Sequence, residues 1–237
     1  MRLWPSKKAE ARKRPGILAK LLRARFDAAQ TTKDNAKHWG AAEFLSADAE
    51  ADSTVRKILR TRARYEVQNN SYARGIVKTL AEDTIGTGPR LQMLLEDEEL
   101  NRRIEHDFGV WAKKVHLPAR LRTIRMARCQ DGEAFALLAR NPALSTNVTL
   151  DIQLIEADRV TDDEMNADGR SVDGITFDRF GNPKSYKVLK SHPGGTASFD
   201  LDFKTVGADD MIHVFRQDRP DVDRLRLLPV HAAHSIP

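Results

Sequence analysis

Residues 52–89 read DSTVRKILRTRARYEVQNNSYARGIVKTLAEDTIGTGP, and the punctuation of this run decides how the chain is organised. Val55, Leu59, Ala63, Tyr65 and Val67 predict one apolar stripe of a helix, with Arg56, Lys57, Arg60, Arg62 and Arg64 on the remaining surface. Asn69-Asn70-Ser71 interrupts that helix and supplies a cap for a second one, in which Tyr72, Ile76, Leu80 and Ile85 recur at roughly helical spacing. Gly86 and Gly88 suit a helix stop, and Pro89 prevents continuation.

On the N-terminal side, Pro5 and Pro15 bracket a basic run with no regular pattern. Residues 17–29 predict one short helix, with Ile17, Leu18, Leu21, Leu22 and Phe26 on a stripe. A polar linker, 30–38, leads to Trp39-Gly40, and Ser46 is placed to cap a helix start favoured by Asp48 and Glu50. On the C-terminal side, 90–95 reads as a short strand, 97–114 as a third helix and 121–129 as a fourth. The third helix turns Leu100, Ile104, Phe108, Trp111 and Ala112 inward.

Beyond Gln130 the pattern changes to short apolar runs: 133–139, 148–155, 172–177, 185–189, 199–203 and 211–215. Turn residues separate them at Asn141-Pro142, Ala167-Asp168-Gly169, Gly181-Asn182-Pro183, Pro193-Gly194-Gly195 and Gly207, and 178–183 reads as a hairpin connection. Helices first and antiparallel strands afterwards predict an α+β fold. The expected organisation is a basic, partly disordered arm (1–37), a helical region (38–130), a β-rich region of the same domain (131–220) and an irregular or truncated tail (221–237).

The charge is concentrated in the arm. The whole chain carries +5; residues 1–30 hold nine Lys and Arg against Glu10 and Asp27, a net +7, which leaves −2 for the other 207 residues. Such an arm suits nucleic acid, an acidic partner or a membrane surface, and equally a solvated tail. No window approaches the roughly 18 apolar residues of a membrane span, and no apolar segment with a cleavage site follows the basic start. With Cys129 as the sole cysteine, an intramolecular disulfide and a multi-cysteine zinc site are excluded, and a reducing compartment is expected.

The search for chemistry returns mostly structural readings. Gly86-Thr87-Gly88 lacks a third glycine and ends a helix instead of opening one, so it is a cap and not a dinucleotide loop. No G-x-x-x-x-G-K-[ST] run is present, so an ATP motor would have to be another molecule. Asp131 and Glu133, with Glu156 and Asp158, offer carboxylates for a divalent metal as in nucleases; Asp131-Gly132 also suits a turn into a strand. No histidine pattern joins a carboxylate at metal-binding spacing, and His213, inside Met211-Ile212-His213-Val214-Phe215, reads as a hydrogen-bonded sheet histidine. Cys129 has nearby Arg125 and Arg128 but no base, which reads as a structural thiol. What remains is a series of cations, Arg56, Arg60, Arg62, Arg64, Arg74 and Lys78, on adjoining helices. They suit phosphates, or acidic surfaces of neighbouring subunits.

Several segments in order nevertheless resemble the lambda family of phage portal proteins. These are His38-Trp39 with Ala41-Ala42 and 46–49; 59–64 continuing through 69–75 to 85–88; Asp131-Gly132-Glu133-Ala134-Phe135; and 154–159. They continue with 178–183 together with Tyr186 and 192–194, and end with 212–216 and Arg219-Pro220. The resemblance covers about residues 38 to 220. It implies a β-rich, wing-like domain in a non-enzymatic ring subunit, dodecameric in the family, at one vertex of the virion capsid and in the host cytoplasm during assembly. It also implies a DNA channel, docking of the terminase large subunit during packaging, and contact with capsid and head–tail connector proteins. Double-stranded DNA would be touched without sequence preference, with no membrane, cofactor or metal. On this reading Arg12, Lys13, Arg14, Arg60, Arg62, Arg64, Arg74 and Lys78 are the candidate contacts to DNA or to a neighbouring subunit. A stand-alone DNA-binding module, a prophage remnant and a metal-dependent nuclease are the alternatives. Portal proteins of this family are considerably longer, and residues 221–237 depart from the family's Gly-rich turn and apolar helix, so a truncated or shifted end is expected.

Overall fold

The computed structural model describes residues 32–42, 44–45, 50–162, 171–195 and 202–216. The chain divides into two units, residues 1–44 and 45–237. In the first unit, residues 33–41 form a run of turns, with the His38 and Trp39 rings edge to face at 4.6 Å. The expected helix at 17–29 and the cap at Ser46 lie outside the described residues, as does the arm with Arg12, Lys13 and Arg14.

Among the described residues, the second unit holds four complete α-helices: α1 (Ser53–Asn69), α2 (Ser71–Ile85), α3 (Glu98–Lys114) and α4 (Leu117–Asp131). The break between α1 and α2 falls at Asn70, whose extended backbone (φ −109°, ψ 112°) ends one helix and starts the next. Its Oδ1 accepts from the Tyr72 and Ala73 N–H groups at 3.0 and 3.4 Å, and so satisfies donors that the first turn leaves open. Gly86 closes α2 at φ 52°.

Residues 90–95 form no strand. The Met93 N–H donates to Glu105 at 2.8 Å, and Asn101 pairs with both the N–H and the C=O of Leu95, so side chains of α3 take the bonds a partner strand would have made. Helix α4 starts four residues earlier than the sequence pattern suggests. His116 turns the chain at φ 51° and Pro118 sits in the first turn, where its missing N–H costs nothing.

The β region forms two antiparallel sheets. One has the order β2-β1-β7, from β1 (Ala134–Arg140), β2 (Leu150–Ile155) and β7 (Met211–Val214). The other has the order β3-β4-β5-β6, from β3 (Ser171–Val172), β4 (Ile175–Phe177), β5 (Pro183–Leu189) and β6 (Phe203–Gly207). The expected strand at 172–177 is a hairpin: Asp173 and Gly174 both take positive φ (49° and 81°) and turn the chain between β3 and β4. Of the expected strand at 199–203 only Asp202 and Phe203 are described, and Phe203 opens β6.

Alternation along β1 divides the core. Phe135 and Leu137 point into a cluster between the two sheets, with Ile155, Ile175, Phe177, Tyr186, Val188, Val206 and Met211. Ala136 and Leu138 point the other way, with Ile152 and Leu154, onto Trp111, Val115 and Leu117 of the helical layer. The Trp111 Nε1–H donates to the Leu150 carbonyl at 2.7 Å and ties α3 to the sheet edge. A third cluster, Val67, Val77 and Cys129 with Met126, joins α1, α2 and α4, so the cysteine is a buried packing residue. Helices, first sheet and second sheet thus stack in that order, an α+β architecture.

Candidate functional site

Helix α1 does not turn its arginines away from the core. Arg56, Arg60 and Arg64, four residues apart, share one face, and Arg56 and Arg60 are buried at 3% and 6% exposure. Tyr65, expected inward, is exposed. The physical reason lies opposite: four carboxylates meet this face, each delivered by the end of an element. Asp131 is the last residue of α4, Glu133 immediately precedes β1, Asp158 follows β2, and Asp173 makes the β3–β4 turn.

The pairing is specific. Arg64 forms a fork onto Asp131 (Nε to Oδ1 2.8 Å, Nη2 to Oδ2 2.9 Å) and donates through Nη1 to Asp158 at 2.5 Å. Arg60 lies 3.4 Å from Asp158 and 3.8 Å from Glu133. Arg56 pairs with Asp173 and also donates to the Ala51 carbonyl. Two histidines close the ends: His213 Nε2 is 3.0 Å from Glu133, with its ring stacked on Phe135 at 4.2 Å, and His192 Nε2 is 3.1 Å from Glu156 and 3.6 Å from Asp158.

Burial and charge pull the ionisable groups apart. Burial alone raises the Asp158 carboxyl, but Arg60 and Arg64 outweigh it and hold its pKa below the ordinary value. For Asp131 burial wins over its bonds to Arg64, helped by the neighbouring Asp158 charge, and the pKa is raised. Burial works against the Arg64 cation, yet the two carboxylates more than compensate and its pKa lies above normal.

Two clefts flank this network. One, about 510 Å³, is bordered by Gln68, Ile124, Glu133 and Glu156; the other, about 500 Å³, by Ser53, Lys57, Thr61 and Gly194. Arg64, Ala157 and His192 belong to the walls of both. Among the described residues, no group of three or more His, Cys, Asp or Glu side chains is arranged to hold a metal ion. Asp131, Glu133 and Asp158 do converge, but the guanidinium groups of Arg60 and Arg64 lie among them. The arrangement neutralises carboxylates and fixes α1 against the β layer. Of the other candidate cations, Arg62, Arg74 and Lys78 are exposed.

The sequence carried one signal for this network that periodicity does not read: arginines at positions 56, 60 and 64 repeat every fourth residue, opposite acids placed at element ends. Asp173 was visible too, since Asp-Gly between two short apolar runs is a hairpin turn.

Residues 32–224 match the family described as phage portal protein, lambda family. This chain belongs to that family. A relative, the "Probable portal protein" of Halomonas phage phiHAP-1, is 26% identical over 199 residues, which cover 74% of this chain and 38% of the relative. The chain therefore spans well under half the length of that portal protein. The matched region takes in all four helices and both sheets, so the arginine–carboxylate network lies wholly within it. No helix of the described residues is long and apolar enough to cross a membrane.

Proposed function

We propose that this chain is a structural part of a portal ring subunit, positioned at one vertex of the capsid, through whose ring DNA enters and leaves. In this reading residues 38–220 make a wing-like domain, and the ring docks the terminase large subunit during packaging and the connector afterwards. The chain performs no chemistry of its own; the ATPase is the terminase. The reading rests on the family membership over 32–224. The site supports it, because the converging acids are engaged by Arg60 and Arg64, which hold the helical layer on the sheets. A divalent cation would have to displace those two guanidinium groups, both anchored on α1.

DNA would be met through charge, without sequence preference, by the basic arm with Arg12, Lys13 and Arg14 and by exposed cations such as Arg62, Arg74 and Lys78. Arg60 and Arg64, turned into the network, contribute by placing α1 and not by touching a phosphate.

The test is genetic and physical together. Heads assembled without this gene product, and without any other source of it, are expected to contain no DNA, and supplying the gene in trans restores filled heads. DNA-filled particles in its absence refute the proposal. In parallel, the purified chain incubated with linear duplex DNA and magnesium is expected to leave the strands intact. Cleavage abolished by Glu133→Ala would replace the portal reading with the nuclease one.

A further inference from the structure

A turn built on a histidine ring borders both clefts. Strand β5 stops at Leu189, and Arg159 fixes the chain there by donating to the Leu189 carbonyl (Nε 2.9 Å, Nη2 2.7 Å) and to the Lys190 carbonyl at 2.9 Å. Residues 192–195 then wind round His192. The Gly195 N–H donates to the His192 carbonyl at 2.9 Å, and the Gly194 N–H donates to Nδ1 of the His192 ring at 3.0 Å. The winding is close, since a Cβ on Gly194 would lie 3.3 Å from the ring atoms Cε1 and Nδ1. The ring lines both clefts, and Pro193 and Gly194 line the one shared with Ser53, Lys57 and Thr61.

The two ring nitrogens have different partners. A backbone N–H only donates, so Nδ1 accepts and carries no proton, and the neutral ring holds its proton on Nε2. That nitrogen faces acid, Glu156 at 3.1 Å and Asp158 at 3.6 Å. From α1, Arg64 and Arg60 pair with Asp158 at 2.5 and 3.4 Å, Asp131 of α4 pairs with Arg64 in turn, and Lys57 borders the second cleft together with the ring. On the ring's own segment, Lys190 pairs with Asp202 at 2.7 Å. A second proton has only Nδ1 to go to. The cation is drawn more strongly to Glu156 and Asp158, but it sets an N–H against the N–H of Gly194, and the bond that closes the turn is lost. The His192 side chain is 35% exposed, so the proton comes from water.

We propose that His192 is a proton-operated latch. Neutral, it holds the 192–195 turn closed; protonated, it keeps its place on Glu156 and Asp158 and lets the turn go. Histidine is the side chain suited to this, because its ordinary change of charge falls between about pH 5 and 8. Release begins at Gly194, since the Gly195 bond ends on the His192 carbonyl and does not depend on the ring. Two consecutive glycines leave the backbone free to reorient once that bond is gone. The wall that changes is the Pro193–Gly194 side of the cleft along α1, while the arginine–carboxylate network that the ring still touches stays set. The latch is a property of the single chain and does not depend on the ring reading above.

Solvent exchange of backbone amides, followed by NMR across a pH series on the full chain isotope-labelled in glycine and histidine, tests the latch. Gly195 is the internal reference, because its bond does not involve the ring. As the His192 ring takes up its proton, the Gly194 exchange rate is expected to rise roughly two- to tenfold relative to Gly195, the worth of one hydrogen bond. At the alkaline end the ring nitrogen resonances should place the proton on Nε2. His192→Asn offers an oxygen that accepts from the N–H two residues on and does not titrate, so its ratio should stay low at every pH. His192→Phe offers no acceptor, so its ratio should be high at every pH. Four results would each overturn the proposal. They are a neutral ring protonated on Nδ1, a ratio that stays flat while the ring titrates, a His192→Phe ratio equal to that of the alkaline wild type, and a His192→Asn ratio that rises with the wild type.

Discussion

Replacing Arg60 with methionine removes the cation between Glu133 and Asp158 and keeps a side chain of similar reach. Glu133, 1% exposed, then retains the His213 contact at 3.0 Å but loses the guanidinium, and Asp158 keeps only Arg64 as its arginine partner. Breaking a buried ion pair by deleting one partner costs roughly 3–5 kcal/mol. The Arg60 separations of 3.4 and 3.8 Å are long for a guanidinium pair, which places the loss at the lower end, about 3 kcal/mol. For a folded unit of this size, that lowers the thermal midpoint by roughly 6–12 °C. Arg62→Met, two residues along the same helix but exposed, should stay within about 0.5 kcal/mol of wild type. Adding Glu133→Gln to Arg60→Met removes the stranded charge and should recover part of the loss, a coupling of about 0.5–3 kcal/mol. Calorimetry or urea unfolding of five proteins, the wild type, Arg60→Met, Arg62→Met, Glu133→Gln and the double variant, measures all of this. Equal midpoints for Arg60→Met and Arg62→Met, or a double variant with strictly additive losses, would refute the inward network.

Three further outcomes follow from separate parts of the fold. Trp111→Phe leaves the Leu150 carbonyl without its indole partner and should cost about 1–3 kcal/mol in urea unfolding; an unchanged midpoint would show that this bond does not hold α3 to the sheet. Gly174→Ala places a Cβ 2.6–2.8 Å from the Thr161 backbone at φ 81°. It should lower soluble yield and stability severely, whereas Gly207→Ala, with open space around it, should leave both nearly unchanged. The acid limb separates two aspartates. The folded-state pKa of Asp158 is depressed, so its contribution is present above the unfolded carboxyl value of about 3.9 and is lost as pH falls through the folded value. The Asp131 value is raised, so its contribution is present below the unfolded pKa and is lost as pH rises through the folded one. Asp158→Asn should therefore flatten the fall in urea midpoint between neutral pH and pH 3, and Asp131→Asn should steepen it; slopes that change in the same direction contradict the assignment.

Local signals were legible where backbone chemistry decides the structure. Asn70 is both the end of α1 and the cap of α2, and Gly86 stops α2, because few residue types satisfy open helix ends or tolerate positive φ. The apolar run 133–139 identified β1, observed at Ala134–Arg140, and His213 reads correctly as a paired sheet histidine. What failed was orientation. A charged residue is placed outward by default because burying an unpaired charge is costly. The buried face of α1 is Arg56, Arg60, Ala63 and Val67, a choice that makes sense only when Asp131, Glu133, Asp158 and Asp173 are already in place opposite. Those partners lie 67 or more residues away in sequence, so no local window contains both halves of the pair. The missed hairpin at Asp173-Gly174 has a nearer cause: the strands beside it are two and three residues long, so 172–177 reads as one strand unless the Asp-Gly pair is given its weight as a turn.

The same helix that faces the carboxylates inward carries Ile58, Arg62 and Tyr65 outward, and this gives the network a role beyond stability. In a head-to-tail assembly the angle between neighbours must close, and any rotation of α1 about its axis redirects its outer surface for every contact in turn. An apolar seam of Ala63 and Val67 leaves that rotation loosely specified. Three guanidinium groups with fixed donor directions, set against four carboxylates with Asp158 shared by Arg60 and Arg64, specify it tightly. On the ring reading, Arg60→Met with Glu133→Gln should still fold, yet self-assemble into a broader distribution of sizes than wild type, as measured by mass photometry. A distribution as narrow as wild type from a chain that has lost the Arg60 pairing would mean that the Val67–Val77–Cys129 cluster alone sets the rotation of α1, and that the arginines serve only to neutralise buried acids.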